Sequence, residues 1–267
     1  MDLRNEDIPV VILCGGLGTR LREVTDAVPK PLVDVGSRPI LWHIMKLYGH
    51  YGFRRFILCL GYRSWDIKEY FLRYRENLSD FTVTLRDDHA VDFHNQLGRE
   101  DWEVTCVETG LLTGTGGRIG RIEPFVDTGT FMMTYGDGIA DVDLGALLRR
   151  HREAGRIGTV TGVKPTSRYG EMAVGDGVVA EFNEKPDAAA GYVSGGFFVF
   201  ETGIFRYLST AEELFLEQGP LGKLARDGEL AMYPHHGFWV GMDTYREYTL
   251  LNQLWHDGEA PWKVWDD

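Results

Sequence analysis

Cysteine is scarce in this 267-residue chain, and the three present, Cys14, Cys59 and Cys106, fall at no Cys-x-x-Cys spacing. An odd, scattered set in apolar segments predicts reduced, buried thiols and excludes a disulfide framework or a cysteine zinc site. The eight histidines include no His-x-x-x-His pair, which removes the usual helical metal pair. Positive charge is also short. Against 40 Asp and Glu stand 28 Lys and Arg, a net charge of -12, which argues against a nucleic-acid polymer as partner. It leaves room for a nucleotide in a locally basic cleft. No apolar run approaches a membrane span, and the acidic N-terminus Met1–Asp7 is unlike a signal peptide, so the expectation is a cytoplasmic protein with no membrane partner. No internal repeat or Ser/Pro-rich linker interrupts the chain.

Two phosphate-binding signatures are missing as well. No Gly-x-x-x-x-Gly-Lys-Ser/Thr occurs where a P-loop would stand, and Gly16-Leu17-Gly18-Thr19-Arg20 runs into Leu21 instead of completing a dinucleotide fingerprint. What is present is a hydrophobic strand, Val10–Leu13, followed by Cys14, a loop rich in glycine (Gly15, Gly16 and Gly18), Arg20, and then Pro29-Lys30-Pro31. Glycines let backbone N–H groups approach an anion closely, while Arg20 and Lys30 add full positive charge. By itself a strand followed by a glycine turn reads equally as structure.

Strand-like and helix-like segments alternate along the chain. Ile8–Leu13, Phe56–Leu60, Glu103–Val107, Phe131–Tyr135 and Thr159–Val163 read as buried strands, and Phe81–Leu85 as a more exposed one. Pro39–Tyr51, Ser64 to about Arg75, Leu144–Ala154 and Tyr245–Trp255 read as helices. Such alternation predicts an α/β fold with a mostly parallel central sheet flanked by helices. Between Tyr169 and Phe200 short segments separated by Gly and Asp-Gly turns predict a small mixed or antiparallel subregion. Hydrophobic content of 43% with 25% charged residues allows one domain with a large core. Residues 8–165 would form a nucleotide-binding core, 166–243 a sugar-binding subregion, and 244–267 a C-terminal helix and tail.

In order along the chain stand Gly15-Gly-Leu-Gly-Thr-Arg20, Pro29-Lys-Pro31, Pro39-Ile-Leu-Trp-His-Ile-Met45, Gly116-Gly-Arg118, Thr134-Tyr-Gly-Asp-Gly138, Glu184-Lys-Pro186, Gly195-Gly-Phe-Phe198, Gly237-Phe-Trp239, Met242-Asp-Thr244 and Ala260-Pro-Trp-Lys263. With these the chain resembles the sugar-1-phosphate nucleotidyltransferases almost end to end, nearest to the members that transfer a cytidylyl group. The resemblance implies a Rossmann-like nucleotidyltransferase fold and condensation of CTP with a sugar 1-phosphate, nearest to glucose 1-phosphate, with Mg²⁺ as cofactor.

The resemblance also implies site residues. Arg20, Lys30 and Lys185 would be catalytic. The nucleotide would lie on Leu13, Cys14, Gly15, Gly16, Leu17, Gly18, Thr19, Arg20, Thr113, Thr115, Gly116, Gly117, Arg118 and Gly136. The sugar phosphate would lie on Tyr169, Gly170, Glu184, Lys185, Ser194 and Gly195, and Asp137 and Asp243 would hold the metal. Read without the resemblance, Asp137 between two glycines makes a turn, and Asp243 is a helix N-cap candidate. Asp141 and Asp143 read as start-of-helix residues. A Gln-x-x-Pro segment expected in thymidylyl- and uridylyltransferases is missing near Gly110–Arg118, which favours cytosine.

The sugar end departs from the pattern, with Ser194 where Asn is expected and Val240-Gly241 where Gln-Pro is expected. The alternatives are therefore another phosphorylated acceptor, dTTP or UTP as donor, or a non-catalytic nucleotide-sugar sensor. Late tryptophans, among them Trp239, Trp255, Trp262 and Trp265, read mainly as packing of the C-terminal tail and also fit a homo-oligomer interface.

Overall fold

The first strand, β1 (Pro9–Leu13), has no polar residue and is buried along its whole length, as a strand covered on both faces requires. The computed structural model describes residues 4–19, 21, 28–86, 90–94, 100–164, 171–175, 178–183 and 191–266. In chain order β1 is followed by β2 (Asp34–Val35), β3 (Arg38–Pro39), α1 (Ile40–His50), β4 (Arg55–Leu60), α2 (Ser64–Leu72), α3 (Tyr74–Leu78), β5 (Phe81–Val83), β6 (Val91–Phe93) and β7 (Glu103–Glu108). Then come α4 (Thr115–Arg121), β8 (Thr130–Tyr135), β9 (Gly138–Ala140), α5 (Leu144–Ala154), β10 (Gly158–Val163), β11 (Glu171–Gly175), β12 (Val178–Asn183) and β13 (Val193–Glu201). The chain closes with α6 (Pro220–Arg226), β14 (Leu230–His235), β15 (Trp239–Gly241) and α7 (Tyr245–His256).

Seven strands form the main sheet in the order β14-β10-β13-β8-β1-β4-β7. β1 pairs parallel with β4 and β8, β4 with β7, and β10 with β14. Within this sheet β13 runs antiparallel to β8 and β10. The expected mostly parallel sheet is present, and β11 with β12 supplies a small antiparallel pair. β13, expected to belong to the small subregion, instead lies inside the main sheet, because its Phe197–Phe200 run is buried on both faces.

From β1 the chain steps outward to β4 and β7, then returns to β8 on the other side of β1. Strand order thus reverses beside β1, and the crevice at the carboxyl ends of β1 and β8 is the place where such a sheet binds ligands.

Side chains alternate across β1 and divide the core. Val10 and Ile12 pack with Ile40, Leu41, Ile44, Met45 and Tyr48 of α1 and with Leu251, Trp262 and Trp265 near the C-terminus. Val11 and Leu13 face Ile119, Phe131, Phe198 and Phe200 on the other side. His43 sits among the late aromatic rings, 4.5 Å from Trp255, 6.2 Å from Trp262 and 6.3 Å from Trp265 between centroids. Its Nε2 lies 2.9 Å from the Val35 carbonyl, and Trp262 Nε1–H donates to Nδ1 at 3.4 Å. Burial lowers the His43 pKa to about 4, so the ring is neutral, with Nε2 as the donor. Trp262 and Trp265 are buried within the chain, which accounts for them as tail packing.

Residues 116–118, rich in glycine, are nevertheless helical as part of α4. Gly117 N–H donates to the Leu214 carbonyl at 3.0 Å and Gly114 N–H to the Glu212 carbonyl at 2.7 Å. A Cβ on Gly117 would lie 2.2 Å from the Ala211 oxygen, and one on Gly120 2.4 Å from the Ser209 oxygen. The small residues therefore let the backbone of 209–214 lie directly on α4, and that contact overrides their poor helix propensity.

Candidate active site

Two carboxylates meet because two short strands pair. β9 and β15 run antiparallel with Gly138 opposite Gly241, and Met242 N–H extends the ladder to the Asp137 carbonyl at 2.9 Å. Asp137 and Asp243 therefore emerge side by side. Between them comes Lys30, fixed by Pro29 and Pro31 at a 3-10 turn over Lys30–Leu32. Its Nζ donates to Asp137 Oδ2 at 2.7 Å and to Asp243 Oδ1 at 2.9 Å, and its side chain is only 11% exposed. Burial acts against the ammonium, but the two carboxylates outweigh it and the Lys30 pKa stands above the ordinary lysine value. Asp243 is not the helix cap. Thr244 and Glu247 form a capping box at the start of α7, with Thr244 N–H donating to Glu247 Oε2 at 2.8 Å.

The glycine loop leaves β1 beside these groups. Leu13 lies opposite Tyr135 in register, and its carbonyl accepts from Gly136 N–H at 3.0 Å. Gly18 has φ +65°, a conformation that favours glycine. Gly16 has no neighbour within 4 Å of where a Cβ would stand, so its backbone faces open space. Burial, followed by the neighbouring Cys59, pushes the Cys14 thiol well up. A protonated thiol there is no nucleophile.

Arg118 lies beneath the loop, 4% exposed. Its Nη1 donates to the Leu60 carbonyl at 2.9 Å and to Thr109 Oγ1 at 2.8 Å, and its Nη2 to the Gly15 carbonyl at 3.0 Å and the Leu111 carbonyl at 3.3 Å. The guanidinium ties together the loops after β1, β4 and β7. The residue expected near the nucleotide borders the cleft but spends its fork on three of the protein's own carbonyls and the Thr109 hydroxyl.

The cleft encloses about 310 Å³. Of the expected residues it gathers Leu13, Cys14, Gly15, Gly16, Gly18, Thr19, Lys30, Thr113, Thr115, Arg118, Gly136, Asp137 and Asp243. Leu17 is exposed on the loop. Thr113 Oγ1 accepts from Arg121 Nη1 at 2.9 Å, and Thr115 Oγ1–H donates to Glu217 Oε2 at 2.7 Å. Arg20, Tyr169, Gly170, Glu184 and Lys185 lie outside the described residues. At the sugar end Ser194 is exposed and Gly195 buried. Trp239 Nε1–H donates to the Gly195 carbonyl at 2.7 Å. Of the two acids read as helix starters, Asp143 caps α5 by accepting from Ala146 N–H at 2.7 Å. Asp141 does not cap. Its Oδ1 lies 3.0 Å from His235 Nε2.

Four further residues border the cleft: Pro31, Gly114, Tyr135 and Phe215. Pro31 and Tyr135 stood next to expected residues and were within reach of the motifs. Phe215 lies about 80 residues beyond the Tyr135-Gly-Asp-Gly segment, in a stretch with no turn or glycine signature of its own. Only the packing of 209–214 on α4 brings it to the cleft.

A parallel-led sheet, a glycine loop at the strand-order reversal and a lysine between two carboxylates define a class that sequence comparison names. The nucleotidyl transferase family matches residues 9–240. A probable glucose-1-phosphate cytidylyltransferase of Bacillus subtilis is 44% identical over 256 residues, covering 96% of this chain and 99% of that protein. The glucose-1-phosphate cytidylyltransferase of Salmonella typhimurium is 43% identical over 257 residues, with 96% and 99% covered. The crystal structure of HddC from Yersinia pseudotuberculosis complexed with GMP-PN superposes with a TM-score of 0.68 at 22% identity, covering 93% of this chain and 99% of that one. A likeness at that identity carries the fold. The chain belongs to the nucleotidyl transferase family and groups within it with the glucose-1-phosphate cytidylyltransferases.

Proposed function

We propose that this protein condenses CTP with α-D-glucose 1-phosphate to give CDP-glucose and pyrophosphate. The observation that carries the reading is the convergence of Lys30, Asp137 and Asp243 at the mouth of the glycine cleft, in a chain so nearly the full length of cytidylyltransferase relatives. A phosphate oxygen of the sugar phosphate attacks the α-phosphorus of CTP. The new O–P bond forms as the bond to the bridging oxygen of pyrophosphate breaks, and no protein nucleophile is required. Backbone N–H groups of the loop at Gly15–Thr19 suit the triphosphate.

Lys30 supplies a fixed positive charge beside the reacting phosphates, with Arg20 and Lys185 proposed to share that work. Among the described residues no cluster of three or more His, Cys, Asp or Glu side chains forms a metal-ligand set. The two carboxylates already converge on one cation, the Lys30 ammonium, and a carboxylate pair completed by phosphates and water suits Mg²⁺. Asp137 and Asp243 would hold it, and it would neutralise charge building on the phosphate oxygens.

Residues 8–165 are proposed as the nucleotide-binding part and 166–243 as the sugar-binding part of a single domain. Among the described residues no helix is long and apolar enough to cross a membrane; a cytoplasmic, homo-oligomeric enzyme is proposed. Pyrophosphate release measured across CTP, UTP, dTTP and GTP, each with several sugar 1-phosphates, tests the reading. CTP with glucose 1-phosphate is expected to give the highest kcat/KM. No release with that pair would overturn the proposal, and equal rates with CTP and dTTP would remove its cytosine preference.

A further inference from the structure

Residues 209–217, which no motif marks, pack on α4 and bring Phe215 to the cleft. The backbone of 209–214 is seated on the glycine face of α4, and Leu216, fully buried, anchors the next step. Its N–H donates to Thr115 Oγ1 at 2.9 Å. Glu217 then fastens the segment: its Oε2 accepts from the Thr115 hydroxyl at 2.7 Å, and its Oε1 accepts from the Tyr135 hydroxyl. Tyr135 is itself confined on the far side by Gly196, where a Cβ would lie 2.6 Å from its ring. Phe215 is thus held between two pinned neighbours, yet its side chain remains 42% exposed and borders the cleft. A large ring held at a cleft mouth and left uncovered does nothing for the core. It is suited to an apolar, flat surface on a ligand.

The polarity of the cleft says which part of the ligand that is. Lys30, Asp137 and Asp243 make one end charged, which suits phosphates. At the part bordered by Thr113, Gly114 and Phe215 the charges are engaged by the protein itself: the Arg118 guanidinium donates to carbonyls and the Thr109 hydroxyl, and the Glu217 carboxylate accepts from Thr115 and Tyr135. We infer that Phe215 is the surface on which the cytosine ring of the nucleotide rests, and that Glu217 is the positioning residue that holds this segment against Tyr135 and Thr115. The inference rests on the cytidylyltransferase reading. Face-to-ring contact favours any base, so Phe215 governs affinity for the nucleotide and leaves the choice between cytosine and uracil to groups at the base edge.

The test measures equilibrium binding of CTP and of ribose 5-triphosphate, the same ligand without its base, by titration calorimetry with Mg²⁺ present. Phe215→Ala is expected to weaken CTP about tenfold, the scale of losing one base-aromatic contact, and to leave ribose 5-triphosphate unchanged. UTP is expected to weaken in parallel with CTP, and Phe215→Tyr to restore the affinity of the wild type. Glu217→Ala should raise KM for CTP with little change in kcat, while Glu217→Gln, which can still receive the Tyr135 proton, retains most of the affinity. Unchanged CTP binding in Phe215→Ala, or equal losses for CTP and ribose 5-triphosphate, overturns the inference. Wild-type turnover with CTP and glucose 1-phosphate in the same preparations separates this result from a failure of the functional reading.

Discussion

Replacing Arg118 with methionine separates two roles that its position at the cleft allows. Methionine preserves much of the aliphatic volume and deletes the guanidinium, with its four contacts to Leu60, Thr109, Gly15 and Leu111. Each hydrogen bond from a charged donor is worth roughly 1.5–3 kcal/mol. The gain is offset because burying the guanidinium costs several kcal/mol of its own. The carbonyls are not all orphaned either. Leu60 O retains the Thr109 N–H at 3.0 Å, and Gly15 O retains the Tyr62 N–H at 3.3 Å.

The net loss is therefore expected at about 2 kcal/mol, lowering Tm by roughly 4–8 °C in a domain of this size. Thermal unfolding followed by circular dichroism, without nucleotide, reads that shift. KM for CTP should rise as well, because the Gly15 loop loses its brace. A raised KM with an unchanged Tm would refute the reasoning and make the guanidinium a ligand-binding group.

Asp137→Asn and Asp243→Asn are each expected to lower kcat by about 100-fold or more while the far-ultraviolet dichroism stays that of the wild type, since a carboxylate pair at the phosphates contributes several kcal/mol; full activity in either variant, or in excess EDTA, defeats the metal assignment. His43 should make the protein acid-sensitive. Its pKa falls from 6.5 to about 4 on folding, so the unfolded chain takes up the proton first as pH drops. Its contribution is complete above about pH 6.5, declines through the interval and stops declining below about 4, a total of about 3 kcal/mol. His43→Gln should flatten Tm against pH between 6.5 and 4, and an unaltered slope would show that other groups set it. Ser194→Asn restores an amide at the sugar end and should shift kcat/KM between glucose 1-phosphate and other sugar 1-phosphates by about fivefold, the worth of one hydrogen bond; an unchanged ratio places acceptor choice elsewhere.

The motifs revealed the charged end of the site and hid the other end. Gly15–Thr19, Lys30, Asp137 and Asp243 are each flanked by glycine, proline or a strand, so local sequence alone announces an unusual backbone, and the β9–β15 ladder brings the two acids together. Asp243 was ambiguous with a cap until Thr244 and Glu247 were seen to fill that role. Gly116, Gly117 and Gly120 are helical for a physical reason that local sequence does not carry. Local propensity reads them as loop, whereas the backbone of residues 209–214, nearly a hundred residues away in sequence, makes them helical by demanding space. Phe215 depends on that same distant contact. Arg118 shows the limit of reading charge from sequence, since an arginine next to a phosphate loop can equally be the bracket that shapes it.

The seating of Trp262 and Trp265 against α1 has a bearing on biogenesis. Trp42 and His43 are made early, and the rings that cover them arrive more than 200 residues later. While the chain is being synthesised, β1 is already there to cover the aliphatic side chains of α1, but the Trp42 and His43 rings wait for Trp255, Trp262 and Trp265. Folding of the N-terminal half can begin on β1 and β4, but it cannot finish until the ribosome has passed Trp265. Nascent chains stalled before that point expose a sticky helix face, the kind of surface that holdase chaperones bind and that aggregates when they are scarce.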